Sequence, residues 1–430
     1  MKRFGKKILS MSMVGILAAS MAVAGAGCSN GSKGGSTPPA AAESAAESAG
    51  GSETQLPTGQ KLRVWTYMQT ETPTLKEYAK KWGEKTGNEV DLIYQTANMQ
   101  QFAQAAHSSS GPDVVYGIAN DNVATFATAG LVKEVPSGTI DESAFTPAAV
   151  SACRVDGKPY SVPIAIESIA LFYNTDKVQT PPETFGDLVT EAQQKGGFMF
   201  DASNFYYVYG FLRAEGGYVF QNSNDKYDVE DIGLDNDGAK KAYSFLNDLV
   251  NKYHLMKPDI TGDVAKSSFQ NGKLAFYIGG PWDVGGFTTA GTHFKVAPLP
   301  TLDGNPLKTA VGTQVAFVSE KTKNESLAWD FIRYMGDESA LALYKAGSRI
   351  PAKLSMQQEP EIQNDENTAA FIKQAAVGEP MPTLPQISQI WTPAQNNIKL
   401  IFTGKQTVDQ ASENIVKQFK QGIATMNAGK

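Results

Sequence analysis

From Lys61 onward the chain exchanges two hydrophobic periods. Leu62–Tyr67 changes polarity at every second residue and predicts a strand. Leu75–Lys85 repeats its apolar positions at helical spacing and stops at Gly87. The exchange recurs with Val90–Tyr94 as a strand, Met99–Ala106 as a helix, Gly111–Tyr116 as a strand and Asn122–Ala129 as a helix stopped by Gly130. Strands alternating with helices of this length predict a parallel sheet covered on both faces, which binds ligands beyond the carboxyl ends of its strands. Gln69 to Glu71 and Gly117 to Asp121 fall at that edge.

Further on, Lys158–Glu167 reads as extended chain leading into a strand, Ser168–Asn174, and Pro181–Lys195 reads as a helix started by proline. Gly238–Lys252 and Val264–Gln270 are predicted helices, and Leu274–Ile278, Phe294–Pro298 and Gln314–Val318 predicted strands. Helices over Ser326–Tyr334, Ser339–Ala346, Pro393–Thr403 and Thr407–Ile423 complete the pattern. The Asn271-Gly272 turn feeds the Leu274–Ile278 run, and Gly279-Gly280-Pro281 ends it sharply and presents Trp282. A Trp just beyond a strand end lines a cleft or fills a core, and its broad apolar face suits the C–H face of a sugar ring.

At 430 residues the chain exceeds one simple core, so two domains are expected. The amino terminus reads as a secretion signal over residues 1–27: basic Lys2, Arg3, Lys6 and Lys7, an apolar stretch from Ile8 to Ala24, then small residues before Cys28. Small residues followed by Cys resemble the lipobox of bacterial lipoproteins, which implies lipidation at Cys28, although Gly25 stands where Leu is preferred. Ser29 to about Thr58 is rich in Ser, Gly, Ala, Pro and Glu without aromatics, and reads as a flexible linker. Cys153, left without a partner by lipidation of Cys28, reads as a small buried residue. Net charge is −6 overall and about −10 without the basic signal, which argues against nucleic acid as a partner.

Neither a phosphate-binding loop nor a dinucleotide fingerprint occurs, and His107, His254 and His293 lack ligand spacing, so no cofactor or metal is implied. Glu167 stands in an apolar run, Ile164–Ala170, and an acid there needs a partner or a water-lined cleft. Asn204–Tyr209 clusters aromatics beside an amide, and Trp391 precedes the last helices. Rings that cover C–H faces, together with amides and carboxylates that satisfy hydroxyls, are what a polyhydroxylated ligand needs. Taken alone, each aromatic is explained better by core packing.

An ordered series of motifs spans the chain from Lys61 to its end: Lys61–Trp65, Lys85–Gly87, Gly111–Asp113, Pro163–Glu167, Gly216–Tyr218, Lys226–Asp228, Asn271–Lys273, Gly280–Trp282, Met381-Pro382, Trp391 and Gln406–Asp409. On these residues the chain resembles the maltose/maltodextrin-binding branch of the extracellular solute-binding proteins of ABC importers, in its Gram-positive lipoprotein form. The resemblance implies an α/β, periplasmic-binding-protein-like fold. Its two lobes each hold a mixed, mostly parallel sheet flanked by helices, and they hinge around a central cleft. The implied lobes are residues 59–165 with 316–360 and residues 170–311 with 367–430, the chain crossing near Ala165–Ala170 and Val311–Ala316.

Matching positions keep Asp121, Glu167, Tyr206, Trp282 and Trp391, which in the family stack on or hydrogen-bond sugar. The family's Asp-Lys pair after the first strand becomes Gln69-Thr70, its acid before the pocket Tyr becomes Asn204, and two arginines become Asn122 and Gln395. One stacking Trp, near Gly117 or Ile118, is missing. The implied role is a monomeric malto-oligosaccharide receptor, held on the outer face of the cell membrane by its lipid alone and delivering sugar to the ABC permease. Gln69, Asp121, Glu167 and Asn204 would supply hydrogen bonds; Tyr206, Trp282 and Trp391 would supply stacking surfaces. The alternatives are a receptor for another di- or oligosaccharide, a purely structural surface lipoprotein, and a secreted glycosidase using Glu167.

Overall fold

The computed structural model describes residues 56–96, 100–108, 110–223 and 226–428. The signal segment, Cys28 and nearly all of the linker lie outside the described residues. Two mixed sheets organise the rest. The larger runs in the order Ile350–Pro351, Val162–Glu167, Ala310–Val318, Val114–Ala119, Lys61–Thr66, Glu89–Tyr94, with Glu379–Pro380 joining the start of Ala310–Val318. The smaller runs Phe294–Ala297, Ala170–Asn174, Phe276–Gly279, Phe198–Met199. Parallel pairing joins the first three strands of the chain. Antiparallel pairing enters with Ala310–Val318, which lies between Val114–Ala119 and Val162–Glu167.

Both faces of the large sheet are covered, which explains why its central strands are apolar throughout. Alternate residues serve different cores. Val114, Tyr116, Ala316 and Val318 face a layer containing Trp82 and Phe331, whose rings meet edge to face at 5.3 Å. Val115, Val315 and Phe317 face the opposite layer, where Phe317 meets Phe102 at 5.1 Å. The smaller sheet centres on Phe172, in contact with Phe269, Tyr277, Phe287 and Phe294.

Several boundaries differ from the sequence expectation. The third strand is Val114–Ala119 rather than Gly111–Tyr116, because the Asp113 carboxylate accepts from the Arg63 backbone N–H (2.9 Å) and spends that residue on anchoring the strand entry. The helix expected from Pro181 is Phe185–Lys195: Thr184 accepts the Asp187 N–H at 3.1 Å, and this cap sets the start in place of proline. The helix Phe205–Ala214 was hidden by its aromatic content, and Trp282, read as lying just beyond a strand end, is the second residue of the helix Pro281–Thr289.

The chain passes from the larger sheet to the smaller through Ser168 and Ile169, both buried. Ser168 is fixed there by a 2.8 Å hydrogen bond between its hydroxyl and that of Thr309. The strands Lys61–Thr66, Val114–Ala119 and Val162–Glu167 are mutually parallel, so their carboxyl ends share one edge of the large sheet.

Candidate functional site

A cavity of about 740 Å³ opens at that edge. Asn120 and Asp121, just past Val114–Ala119, line it, as does Glu167 at the last position of its strand. Tyr206, Trp282, Met381, Gln389 and Trp391 line it from other segments. Five of the seven residues singled out in the sequence therefore share one cavity: Asp121, Glu167, Tyr206, Trp282 and Trp391. The remaining two do not line it. Gln69 is exposed in the turn after the first strand, where its carbonyl accepts from Thr72. Asn204 caps the helix Phe205–Ala214, its side chain accepting the Tyr206 N–H at 3.1 Å. Its amide N–H donates to Asp201 Oδ2 at 3.4 Å, so both ends of the side chain are engaged within this turn.

The start of that helix ties the two indoles together. Consecutive helical residues point about 100° apart. Phe205, fully buried, meets Trp391 edge-on at 6.0 Å, while Tyr206 leans toward Trp282 at 6.4 Å with 46° between the rings. Trp282 is placed by its own helix cap. The buried carboxylate of Asp283 accepts from Tyr277 Oη (3.0 Å) and pairs with Lys266 Nζ (2.7 Å). It also accepts the Gly280 N–H at 3.4 Å.

The polar groups are aimed as specifically as the rings. Glu167 is buried, which answers the need for a partner: Arg349 pairs with Oε1, and Gln314 Nε2 donates to Oε2 at 3.2 Å. Gln314 reaches it because the register of Ala310–Val318 shifts at this point, a bulge that re-aims the side chain. Asn120 accepts the Thr313 N–H through Oδ1 (3.1 Å), while its amide nitrogen is buried without a partner among the described residues. The Tyr206 hydroxyl is likewise buried and unpartnered, and burial pushes its phenol well above the ordinary range. Burial raises the Asp121 carboxyl to about 6, against hydrogen bonds to it that pull the other way, among them one from Asn122 Nδ2 (2.6 Å). Buried polar atoms left unpaired in a native protein call for an explanation, and a hydroxyl-rich ligand supplies donors and acceptors for all of them.

Among the described residues, no Lys, Arg or His lines the cavity. Asn120, Met381 and Gln389 were not among the candidate site residues, although Met381 stood in the motif series. Asn120 lies inside the Gly117–Asp121 edge segment, so its position was legible and its role was not. Arg349 carried no local signal, since its partner is 182 residues away in sequence.

Comparison with known proteins agrees with this geometry. Residues 77–370 match the family profile of bacterial extracellular solute-binding proteins. The chain is 31% identical to the maltodextrin-binding protein of Bacillus subtilis over 81% of its own length and 88% of that protein's. It is 32% identical to the galactooligosaccharide-binding protein of the same organism, over 73% and 78% of the two chains. Among solved structures, the maltose-maltodextrin binding protein of Alicyclobacillus acidocaldarius is similar with a TM-score of 0.81 and 33% identity, covering 84% of this chain and 100% of that one.

Proposed function

The chain belongs to the bacterial extracellular solute-binding protein family, and on that basis we propose that it captures malto-oligosaccharides between its lobes and hands them to the permease of an ABC importer. The observation that carries this reading is the convergence of Trp282, Trp391 and Tyr206 with Asp121 and Glu167 on one cavity. Indole and phenol rings cover the C–H faces of glucose units; the acids, Asn120 and the Tyr206 hydroxyl meet the hydroxyls.

Residues 59–165 with 316–360 act as one lobe and residues 170–311 with 367–430 as the other, with Ser168 and Ile169 in the connection between them. Contact between the Asn120–Asn122 turn and the Pro385–Gln389 turn across the cavity mouth supports closure round the ligand. Sugar then stabilises the closed arrangement by no more than its differential affinity for it. Cys28 carries the lipid that holds this monomer at the outer face of the membrane. The protein is a receptor rather than an enzyme: with both Glu167 oxygens engaged by Arg349 and Gln314, that acid is arranged to accept hydrogen bonds and not to protonate a leaving group.

The similarity to a galactooligosaccharide-binding protein supports a second reading, in which the ligand is a galactoside oligomer. Titration calorimetry with maltotriose, maltotetraose and galactooligosaccharides separates the two. Heat and saturation with the α-glucans alone support the first; saturation with the galactosides alone supports the second. Release of shorter sugars from maltoheptaose would overturn both.

A further inference from the structure

We propose that Arg349 is a positioning residue for saccharide binding, fixing the ligand-facing carboxylate of Glu167 and bracing it against Glu71 behind the site. The inference rests on the reading of the cavity as a saccharide site. Arg349 does not line the cavity; Glu167 does. The guanidinium pairs with Glu167 Oε1 through Nη1 and with Glu71 Oε1 through Nε at 2.5 Å. The Arg349, Glu167 and Glu71 side chains are only 13%, 11% and 1% exposed. Two buried carboxylates thus share one cation, an arrangement whose desolvation cost offsets much of its Coulombic gain, so stability alone does not account for it.

The backbone around Arg349 is shaped to deliver it. Ser348 ends the helix Ala340–Gly347 in the left-handed region with φ 53°. The turn sends Arg349 inward and lets Ile350 and Pro351 pair with Ile166 and Ala165, next to Glu167. Gly347 lies so close to Glu71 that a Cβ there would overlap the carboxylate. Among the described residues Oε2 of Glu71 has no partner, and the bond from Arg349 to Oε1 compensates this buried acid.

With Oε1 taken by Arg349 and one acceptor site of Oε2 by Gln314, the second acceptor site of Oε2 is what Glu167 has left for the cavity. The site of a notional Cβ on Gly312 lies 3.7 Å from the Tyr206 hydroxyl and 3.8 Å from that Oε2, so the two groups converge there. A hydroxyl reaching this point meets an acceptor in one fixed orientation, which discriminates between sugars differing at that carbon. Lysine cannot substitute, because a point charge does not hold two acids in a planar fork.

The test is a double-mutant cycle on the full chain: wild type, R349M, E167Q and R349M/E167Q, each titrated with maltotriose and with galactooligosaccharide. Circular dichroism checks that each is folded. R349M is expected to weaken binding about tenfold or more, and the same substitution in the E167Q background by less than about threefold, since coupled residues are not additive. Equal losses in both backgrounds, the signature of a merely structural role, overturn the proposal, as does unchanged affinity in R349M. Should R349M fail to fold, R349K carries the same cycle with the same outcomes. A wild-type protein that binds neither saccharide overturns the proposed function, and the role of Arg349 falls with it.

Discussion

The Trp282 indole lies back over Gly280 so closely that a Cβ at Gly280 would overlap its six-membered ring. The residue that caps the helix therefore also sets the tilt of the ring two places later. Gly280→Ala is expected to displace the indole and weaken saccharide binding by about 1 kcal/mol or more, a typical loss for a well-placed aromatic contact. Calorimetry against the wild type checks it, and unchanged affinity would separate the glycine from ligand recognition.

Removing either indole should do more than misplacing one. Trp282→Ala and Trp391→Ala are each expected to weaken binding by more than about 1 kcal/mol. Trp391→Ala should also lower the melting temperature, because it uncovers buried Phe205. A variant that loses stability while keeping its affinity would return that ring to the core.

Acid should act through Asp121, whose carboxyl is raised to about 6 by burial. Below that pH the group is protonated and stops accepting two hydrogen bonds as a carboxylate, so affinity is expected to fall as pH drops from 7 to 5. The slope approaches about tenfold per pH unit if only the ionised form binds. Folding responds with the opposite sign. Between the ordinary carboxyl range and about 6 the folded state holds the proton more tightly than the unfolded chain, so this group makes stability decline as pH rises through that window. Asp121→Asn should flatten both dependences, as followed by titration and thermal unfolding between pH 4 and 8.

Asn204 separates capping from ligand contact. Asn204→Ala removes the acceptor for the Tyr206 N–H and is expected to cost about 1 kcal/mol of stability. Affinity should stay within about twofold of wild type once the variant is folded. A much larger loss of affinity would give Asn204 the direct role its sequence position suggested.

Which features could be read in advance follows from how far apart their causes lie. The Lys61–Thr66 and Glu89–Tyr94 strands, and the helix between them, obey local periodicity, and sequence alone places them within a few residues. The phenylalanine and tyrosine run Phe205–Tyr209 holds no charged residue to mark a solvent face, so it read as an aromatic cluster and its helix went unseen. Glu167 advertised itself because an acid in an apolar run must be compensated, yet nothing local named Arg349 as the compensating group. Asn204 and Gln69 show the converse: both occupy the expected sequence positions, but a cap and an exposed turn hold them away from the cavity lining. Position along the chain fixes neighbourhood; the direction of a side chain depends on partners that arrive from elsewhere.

Cys153 is buried, and burial pushes its thiol up to about 12, so it is chemically silent at neutral pH. Beyond Cys28 the sequence holds no other cysteine. With Cys28 replaced by Ser, a single thiol introduced at exposed Ser388, on the cavity rim, would accept a fluorophore at one place only. The fold comes ready for conversion into an optical sensor, in which the dye's colour or brightness reports sugar concentration in real time.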